Sequence, residues 1–390
     1  MNYNLKINSK QNSFERQLRQ RFNDGFDLIQ VILGPRQVGK TTAILNLLKD
    51  YKSASVYTSA EESLAPQPDW LDEVWQQALD KSTSCLLVID EIQKIPNWSE
   101  RIKKLWDNQK IKKQQKIKLV LLGSSSLKIQ QGLSESLTGR HELIRAYHWS
   151  FEESQLIKKM NLDDYLLFGG YPGSYKFKDS ISRFDSYIQN SIVSTVIEKD
   201  LLNESRIKNP SLFKQTFQLL QTLPAAEISY TKLLGQLQDK GNTDLIKNYL
   251  DLFEGAFLIK QIHKYNKKAF KTRLSTPKII CLAPSLLNRQ QKKTPEFLGL
   301  CFESLIGSDL VRANLDVNYW RKGDFEIDFV FELNSQLIGL EVKSQKRKSS
   351  KSISAFLKEF PKAKILYVNF DNYKNFSKNP IEYISKILAL

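Results

Sequence analysis

Apolar and polar residues follow two different rhythms along the first 150 residues. Short runs rich in β-branched residues, typical of strands buried on both faces, are separated by stretches in which apolar residues recur every three or four positions, typical of helices. The predicted strands are Leu28–Leu33, Ser55–Thr58, Cys85–Asp90, Lys118–Gly123 and Glu142–Tyr147. The predicted helices are Lys40–Tyr51, Trp70–Lys81, Trp98–Gln109 and Phe151–Met160. This alternation predicts an α/β domain with a parallel sheet covered by helices.

The rest of the chain follows other patterns. Residues 163 to about 205 have a helical pattern that a loop rich in Gly and Pro interrupts at 168–173. Three predicted helices and two predicted strands come next, in the order of a winged helix-turn-helix: Leu212–Leu223, Ser229–Leu237, Thr243–Glu254, Leu258–Lys264 and Lys278–Leu282. The last hundred residues return to mixed α/β, with helices at Phe297–Arg312 and Ser352–Phe360 and strands at Asp316–Trp320, Glu326–Leu333, Gln336–Ser344 and Lys364–Asn369.

These changes of pattern predict four parts of the chain: an α/β domain over residues 1–150, a helical lid or linker over 151–210, a winged-helix-like domain over 211–290 and a mixed α/β domain over 291–390. In a winged helix, Thr243–Glu254 would be the recognition helix. Its acidic residues Asp244, Asp251 and Glu254 argue against insertion into a DNA groove, so a purely structural winged helix is the alternative.

Composition adds a large positive charge. Lys and Arg number 58 and Asp and Glu 42, which leaves a net charge of +16 on 390 residues. The apolar runs are too short to cross a bilayer, which takes about 18 to 20 residues, and the polar start of the chain, Met1–Ser13, lacks the apolar stretch of a secretory signal. We therefore expect a cytoplasmic protein without membrane insertion. The cysteines, at 85, 281 and 301, lack the spacing of a zinc site, and we expect buried thiols.

The positive charge is concentrated in three stretches: Arg101–Lys118, Lys260–Lys293 and Lys343–Lys364, the last of which contains the run Lys346-Arg347-Lys348. Each stretch by itself fits an ordinary solvated face. Three together favour a polyanionic partner, because Lys and Arg that neutralise phosphates release condensed counterions. We expect a nucleic acid, with DNA first. An anionic membrane surface is the weaker candidate, since no stretch lies on a clearly amphipathic helix.

A phosphate-binding motif lies between the first predicted strand and the first predicted helix. It has the form G-x-x-x-x-G-K-[ST] and reads Gly34-Pro35-Arg36-Gln37-Val38-Gly39-Lys40-Thr41. The backbone N–H groups of such a loop face phosphates at the start of a helix. Lys40 would bind the β- and γ-phosphates and Thr41 would ligate Mg²⁺, so the motif predicts ATP and Mg²⁺ as cofactors. A plain glycine turn before a helix is the alternative.

Two carboxylates are predicted to act together with this loop. The apolar run Leu86–Ile89 ends in Asp90 and Glu91. Asp90 would hold Mg²⁺ through its water shell, and Glu91 would orient or deprotonate the attacking water. An apolar strand that ends in Asp-Glu is common, but in combination with the loop it predicts nucleotide hydrolysis.

Two further residues are candidates for the same site. Ser124 ends the next strand, in Gly123-Ser124-Ser125-Ser126, where its hydroxyl would contact the γ-phosphate or the water; a turn is the alternative. Arg140, in Leu137-Thr138-Gly139-Arg140, would bring positive charge to the transferred phosphoryl group, in cis or towards a neighbouring subunit of a homo-oligomer. An ordinary surface arginine is the alternative.

A second group of carboxylates lies near the C-terminus. Asp328 lies in one predicted strand, while Glu341 and Lys343 share a face of the next, so hairpin pairing brings the three together. Glu303, on the preceding helix, would add a fourth group. Asp328 and Glu341 as ligands of Mg²⁺, with a lysine that positions a water, would suit phosphodiester hydrolysis. The charged outer face of a hairpin is the alternative.

These motifs resemble a known family, the prokaryotic AAA-type P-loop ATPases whose C-terminal half is a domain of unknown function. The resemblance extends over nearly the whole chain. It rests on Gly34–Thr42, Asp90-Glu91-Ile92-Gln93, Ile95-Pro96-Asn97-Trp98, Gly123-Ser124-Ser125, Leu137-Thr138-Gly139-Arg140, Phe168-Gly169-Gly170-Tyr171-Pro172, Phe302-Glu303-Ser304, Tyr319-Trp320-Arg321, Glu326-Ile327-Asp328-Phe329 and Glu341-Val342-Lys343. His148, before Trp149-Ser150-Phe151, departs from the family, which usually has Pro there.

The resemblance implies an N-terminal AAA-like ATPase domain that binds its nucleotide through Gly34–Thr42, a winged-helix middle and a C-terminal domain similar to the PD-(D/E)XK nuclease fold. Three hypotheses follow. The first is an ATP-hydrolysing protein associated with DNA, whose nuclease-like domain cleaves phosphodiesters. The second is a nucleotide-controlled switch whose C-terminal domain binds DNA or a protein without cleavage, and the third is a membrane-peripheral or chaperone-like ATPase. The clustered carboxylates favour the first over the second, because a pure binding module does not need groups that repel phosphate.

Overall fold

The computed structural model describes residues 5–8, 11–61, 69–82, 84–112, 116–124, 127–202, 207–237, 241–266, 276–288, 294–343 and 350–389. The chain forms two compact units, Met1–His148 and Trp149–Leu390. Each unit has its own sheet and its own helices. The predicted subdivision of the second unit at 210 and 290 stays a prediction.

The first unit is built on a five-stranded parallel sheet. Its strands are β1 Ile29–Gly34, β2 Ser55–Ser59, β3 Ser84–Asp90, β4 Lys116–Ser124 and β5 His141–Arg145. Their order in the sheet is β2-β3-β4-β1-β5. All of β1 is buried, and so is β3 after its first residue, as expected of parallel strands that are covered on both faces. The predicted α/β class and all five predicted strands are confirmed, with ends shifted by one or two residues.

The helices of the first unit include two that patterning did not predict. They are the first and the last of the series Ser13–Asp24, Lys40–Asp50, Trp70–Lys81, Trp98–Lys112 and Leu127–Glu135. A 3-10 turn at Ile92–Lys94 follows β3. The helix Ser13–Asp24 buries Phe14, Leu18 and Phe22. The four-residue spacing of these three residues is the sequence signal that could have found this helix, although the residues around them are strongly polar.

The second unit is built on a seven-stranded mixed sheet. Its strands are β6 Ala226–Glu227, β7 Ile259–Lys264, β8 Lys278–Cys281, β9 Asn318–Lys322, β10 Phe325–Leu333, β11 Gln336–Lys343 and β12 Lys364–Asn369. Their order is β12-β11-β10-β9-β7-β8-β6. Strands β7 and β9 pair in parallel, as do β11 and β12, and the other neighbours are antiparallel. One sheet therefore contains the two predicted wing strands as well as the C-terminal strands.

The helices of the second unit are Phe151–Lys158, Leu162–Phe168, Ile181–Ser186, Pro210–Leu220, Tyr230–Gly235, Thr243–Gly255, Pro295–Arg312, Ser350–Glu359, Phe370–Lys378 and Pro380–Leu388. Two segments, Tyr187–Val193 and Thr195–Leu202, are π-helical, and 3-10 turns lie at Ser174–Phe177 and Pro284–Leu286. The predicted interruption at 168–173 is confirmed, whereas the last two helices were not predicted. Among the residues that the structure describes, no helix combines the length and the apolar character needed to cross a membrane.

The elements of the predicted winged helix occur in the predicted order. The acidic side chains of its third helix bind residues of the same unit. In the helix Thr243–Gly255, Asp251 accepts a hydrogen bond from the side-chain amide of Gln261 (2.9 Å), and Glu254 forms an ion pair with Lys260. Both partners lie on β7. Two of the acidic residues that argued against DNA insertion therefore serve to attach the helix to the sheet. The winged-helix assignment itself stays a prediction.

The helix Pro295–Arg312 is buried along most of its length. The hydroxyl of Ser304 accepts a hydrogen bond from the N–H of Cys281 on β8 (3.1 Å), which fixes the helix against the sheet. Gly307 allows a close approach on the same side. A Cβ atom at this position would lie 2.9 Å from the ring of Phe329 on β10, which is closer than van der Waals contact.

We expect Gly307→Leu to lower the free energy of unfolding by about 1–3 kcal/mol, because the added side chain forces the helix away from β10. Chemical denaturation of the full chain measures the change. Gly235→Leu is the matched control, since a Cβ atom there meets no atom within 4 Å. Its effect should stay within about 0.5 kcal/mol. Equal stability of the two variants would contradict this packing.

Candidate functional site

The segment that joins β1 to the helix Lys40–Asp50 curls back on itself. Gln37 and Gly39 have positive φ angles of 62° and 93°, and Gly39 directly precedes the helix. The left-handed conformation of Gly39 favours glycine, because a Cβ atom would be strained there. Its carbonyl oxygen accepts a hydrogen bond from the N–H of Ala43 (3.0 Å), which begins the helical ladder. In any α-helix the N–H groups of the first turn have no acceptor within the helix, and anions bind at such N-termini.

The ammonium group of Lys40 lies inside this loop. Its Nζ donates to the carbonyl oxygens of Gly34 (2.8 Å) and Pro35 (2.7 Å), and the side chain is buried. Both acceptors are neutral. Charged phosphate oxygens are stronger acceptors for an ammonium than carbonyl oxygens are. Lys40 is therefore held where it can exchange a carbonyl contact for a phosphate.

Asp90 connects the loop to two strands. Its Oδ2 accepts hydrogen bonds from the hydroxyl groups of Thr41 (2.7 Å) and Tyr57 (3.0 Å), and its Oδ1 accepts one from the N–H of Glu91 (2.9 Å). The two residues predicted to hold Mg²⁺, Thr41 and Asp90, are thus in direct contact. Thr41 is predicted to ligate the ion directly and Asp90 to hold it through its water shell. A carboxylate that accepts a hydrogen bond from the ligating hydroxyl lies where it can contact that water shell.

Glu91 belongs to a hydrogen-bonded group with Gln93 and Ser124. The Nε2 of Gln93 donates to Oε2 of Glu91 and to Oγ of Ser124 (3.0 Å), and Oγ of Ser124 donates to the same Oε2 (3.3 Å). Gln93 and Ser124 are buried. Glu91 has a φ of 53°, which turns the chain after β3. The predicted water-activating carboxylate is therefore oriented by two neighbours, of which Gln93 had no predicted role. Ser125 and Ser126 lie outside the described residues.

The topology of the sheet explains why these residues meet. Gly34, Asp90 and Ser124 are the last residues of β1, β3 and β4, and β4 pairs in parallel with both of the other strands. Parallel strands end at the same edge, where ligands bind in open α/β sheets. Tyr57 on β2 joins the same edge and was not predicted, because a single Tyr in a strand carries no motif.

Arg140 lies at the other end of the strands, where β1 begins. Its carbonyl oxygen accepts a hydrogen bond from the N–H of Ile29, the first residue of β1 (2.9 Å). Gly34 ends the same strand, about 16 Å away at about 3.3 Å per residue. The guanidinium group binds both carboxylate oxygens of Asp107 (2.9 Å each), and these hydrogen bonds raise the pKa of Arg140. This position does not favour a role of Arg140 in cis, and both the cis role and a role towards a neighbouring subunit stay predictions.

Three carboxylates converge in the second unit. One oxygen from each of Glu303, Glu326 and Asp328 lies within 4.8 Å of the others. Glu326 and Asp328 are on β10, and Glu303 is on the helix Pro295–Arg312. Sequence reasoning predicted Glu303 and Asp328 but missed Glu326. The two-residue period of a strand was the signal that could have found it.

Glu341 lies next to this group, as the predicted pairing of β10 and β11 requires. It is not one of the three converging carboxylates. Phe329 pairs with Leu340 across β10 and β11, which makes Asp328 and Glu341 cross-strand neighbours. Glu341 is buried, and the converging carboxylates found among the described residues are the other three. The predicted metal pair of Asp328 and Glu341 therefore stays a prediction.

The lysine that lies among the carboxylates is Lys278. Its Nζ forms ion pairs with Oε1 of Glu303 (2.6 Å) and Oε1 of Glu326 (2.7 Å), and the side chain is only 3% exposed. Burial lowers the pKa of this ammonium, but the charges of Glu303, Asp328 and Glu326 more than offset that effect, so the pKa of Lys278 is raised. Lys343, the predicted lysine, lies over the ring of Tyr367.

No motif spacing relates Lys278 to the carboxylates, which is why sequence reasoning missed it. The only signal is one charged residue at the start of the apolar run Lys278-Ile279-Ile280-Cys281. Divalent cations bind carboxylate oxygens at about 2.0–2.6 Å. An ion bound to the same two oxygens as Lys278 would overlap its nitrogen. With Lys278 in place, these two oxygens are not open to a metal ion.

Several residues of the basic stretches form ion pairs with acidic residues of the protein itself. Arg101 forms ion pairs with Asp69 and Asp72, and Lys260 and Lys278 bind glutamates. Lys103 and Lys104 are exposed on the helix Trp98–Lys112, and Lys351, Lys358 and Lys362 are exposed near the C-terminus. The run Lys346-Arg347-Lys348 lies outside the described residues. The surface available to a polyanion is therefore smaller than the sequence count indicates.

Sequence profiles of three domain families match successive parts of the chain. An AAA domain matches residues 27–155, a domain of unknown function (DUF8612) matches 159–296 and another (DUF4143) matches 298–387. The first match contains the loop, Asp90, Glu91 and Ser124, so this part of the chain is similar to AAA domains. An uncharacterized protein of Methanocaldococcus jannaschii is 24% identical over 368 residues, which cover 87% of this chain and 80% of that protein.

Two solved structures are weakly similar to the chain. The RuvB Holliday junction branch migration motor of Thermotoga maritima is 13% identical with a TM-score of 0.32, over 64% of this chain and 87% of that chain. The Orc1 protein of Aeropyrum pernix, in complex with DNA, is 12% identical with a TM-score of 0.31, over 78% of this chain and 94% of that chain. Similarity at this level does not bear on function.

We expect Gln93→Leu to slow ATP turnover by about 10- to 100-fold, because Glu91 loses the amide that orients it and small misplacements of reacting groups are costly. Nucleotide affinity should change by less than about 2-fold, since Gln93 does not belong to the loop. Steady-state turnover and the binding of a fluorescent ATP analogue separate the two effects. Gln76→Leu, in the helix Trp70–Lys81, is the control. Unchanged turnover in Gln93→Leu would show that the amide does not position Glu91.

Proposed function

We propose that the protein binds ATP together with Mg²⁺ and hydrolyses it. The contact between the hydroxyl of Thr41 and the carboxylate of Asp90 (2.7 Å) carries the proposal. It joins the phosphate-binding loop to the acidic end of β3 through two oxygens of the type that Mg²⁺ prefers. A plain glycine turn before a helix would not need an acidic partner at this position.

Each residue has a separate task in this proposal. The N–H groups at the start of the helix Lys40–Asp50 and the ammonium of Lys40 bind the phosphates, while Thr41 and Asp90 hold Mg²⁺, which neutralises the charge that develops on the phosphates. Glu91 orients the attacking water and accepts its proton. Gln93 and Ser124 keep the carboxylate of Glu91 in place through their hydrogen bonds to Oε2.

We expect Lys40→Ala to abolish ATP binding and Glu91→Gln to retain it. The alanine variant loses the cation that binds the phosphates. The glutamine variant loses only the group that activates water, so its turnover should fall by about 100-fold or more. Phosphate release and equilibrium binding of a labelled ATP analogue measure the two quantities.

Lys49→Ala is the matched control for Lys40→Ala, because Lys49 is exposed on the same helix. It should hydrolyse ATP like the unmodified protein. Turnover in Lys40→Ala equal to that of Lys49→Ala would rule out the proposed site.

We further propose that the protein associates with DNA. The support is the net charge of +16 together with the exposed lysines at 103, 104, 351, 358 and 362. A helix surface that carries adjacent exposed lysines attracts the phosphate backbone without reading sequence.

We expect the affinity for a DNA duplex to fall steeply with salt. If about six phosphates are neutralised, the logarithm of the association constant should fall with a slope of about −5 against the logarithm of the salt concentration. The double variant Lys103→Gln, Lys104→Gln should reduce the magnitude of this slope by about 2. Lys214→Gln is the control, because Glu198 already pairs with that ammonium (2.6 Å). A salt-independent affinity would remove DNA as the partner.

The alternative to a nuclease fits the second unit better. Phosphodiester cleavage by the C-terminal carboxylates would need a divalent cation, and Lys278 takes up the oxygens that would bind it. We therefore favour a nucleotide-controlled switch whose second unit binds DNA or a protein partner without cleaving a phosphodiester. We expect the purified protein to cleave no DNA in Mg²⁺ or in Mn²⁺ when ATP is present.

A further inference from the structure

The carboxylates of Glu303, Glu326 and Asp328 form the kind of oxygen-rich group that binds a divalent cation in other proteins. In this protein the group already contains a cation. The Nζ of Lys278 lies 2.6 Å from Oε1 of Glu303 and 2.7 Å from Oε1 of Glu326. These are the contacts of a charge-assisted hydrogen bond.

The position of Lys278 is fixed by the sheet. Its backbone lies on β8, between β7 and β6, where it pairs with Ile262 on one side and Glu227 on the other. The rings of Tyr319 and Phe329 lie 5.8 Å and 5.7 Å from its Nζ. A lysine in the interior of a sheet, with aromatic rings on its sides, cannot leave the cluster by a simple rotation of its side chain.

We propose that Lys278 is a built-in cation that occupies the carboxylate cluster in place of a divalent metal ion, and that the cluster takes up such an ion only when this lysine is removed. One ammonium then does what a metal would do structurally: it joins Glu303 on the helix to Glu326 on the sheet. It does not supply the metal's chemistry, because an ammonium neither polarises a phosphate as a Lewis acid nor lowers the pKa of a bound water as a metal does.

The surroundings of Glu326 support this assignment. Glu326 also forms an ion pair with Arg321, which in turn binds Glu227 (2.7 Å). Two protein cations, Lys278 and Arg321, thus pair with three of the carboxylates at this end of the sheet, Glu303, Glu326 and Glu227. An added divalent ion would have to compete with the ammonium of Lys278, which is buried between its two glutamates.

The experiment measures binding of Mn²⁺ by isothermal titration to the full chain without nucleotide. All proteins carry Asp90→Asn, so that the proposed nucleotide site lacks its metal-binding carboxylate at the end of β3. With Lys278 present, Glu303→Gln should not change the heat of Mn²⁺ binding. With Lys278→Met, about one Mn²⁺ per chain should bind, and the further change Glu303→Gln should abolish that binding.

Two more variants serve as controls. Lys260→Met removes a lysine that also pairs with a glutamate, Glu254, and it should not create a Mn²⁺ site. The double variant Lys278→Met, Glu326→Gln keeps the net charge of the cluster unchanged and leaves Glu303 and Asp328 as ligands. It replaces Lys278→Met if three uncompensated carboxylates prevent that chain from folding.

Two results would overturn the proposal. The first is Mn²⁺ binding to the protein with Lys278 intact that Glu303→Gln removes, because the lysine would then not exclude the ion. The second is a folded Lys278→Met protein, or its charge-matched double variant, that binds no Mn²⁺. ATP turnover does not enter either result, so this proposal can fail independently of the proposed ATPase.

Discussion

The carboxylate of Asp90 is the group on which the arrangement at the edge of the first sheet depends. It accepts hydrogen bonds from Tyr57 on β2, from Thr41 at the start of the loop helix and from the N–H of Glu91. A buried carboxylate with several donors is compensated for its loss of water and is also held in one orientation. Thr41 and the turn that carries Glu91 are therefore positioned by the same side chain.

Two buried lysines differ in the charge of the groups that accept their hydrogen bonds. Lys40 donates to the backbone carbonyl oxygens of Gly34 and Pro35, which are neutral. Lys278 binds the carboxylates of Glu303 and Glu326. Exchange of a neutral acceptor for a charged phosphate is favourable, whereas removal of an ammonium from carboxylates leaves buried charges unpaired. The neutral acceptors of Lys40 can thus be exchanged for a charged one, whereas Lys278 is held by its carboxylates.

Much of the fold follows from local sequence signals. The five strands of the first sheet are short continuous apolar runs, and the phosphate-binding loop is a compact motif whose glycines and lysine are neighbours in the chain. Such signals predict the structure well because each depends on only a few adjacent residues. The helix Ser13–Asp24 was missed because its three apolar residues stand in a strongly polar segment, although their spacing is helical. The basic stretches overstate the free charge, since residues such as Arg101 and Lys260 have acidic partners from other segments.

The sequence by itself determined the α/β class, the glycine-containing loop after β1 and the carboxylates at the end of β3, because each of these features depends on contiguous residues. Only the tertiary structure decided which distant residues meet them. It placed Arg140 at the opposite edge of the sheet from Gly34, brought Gln93 between Glu91 and Ser124, and put Lys278 rather than Lys343 among the C-terminal carboxylates. The physical reason is that strand order and helix packing set these distances, and the order of strands in a sheet does not follow their order in the chain.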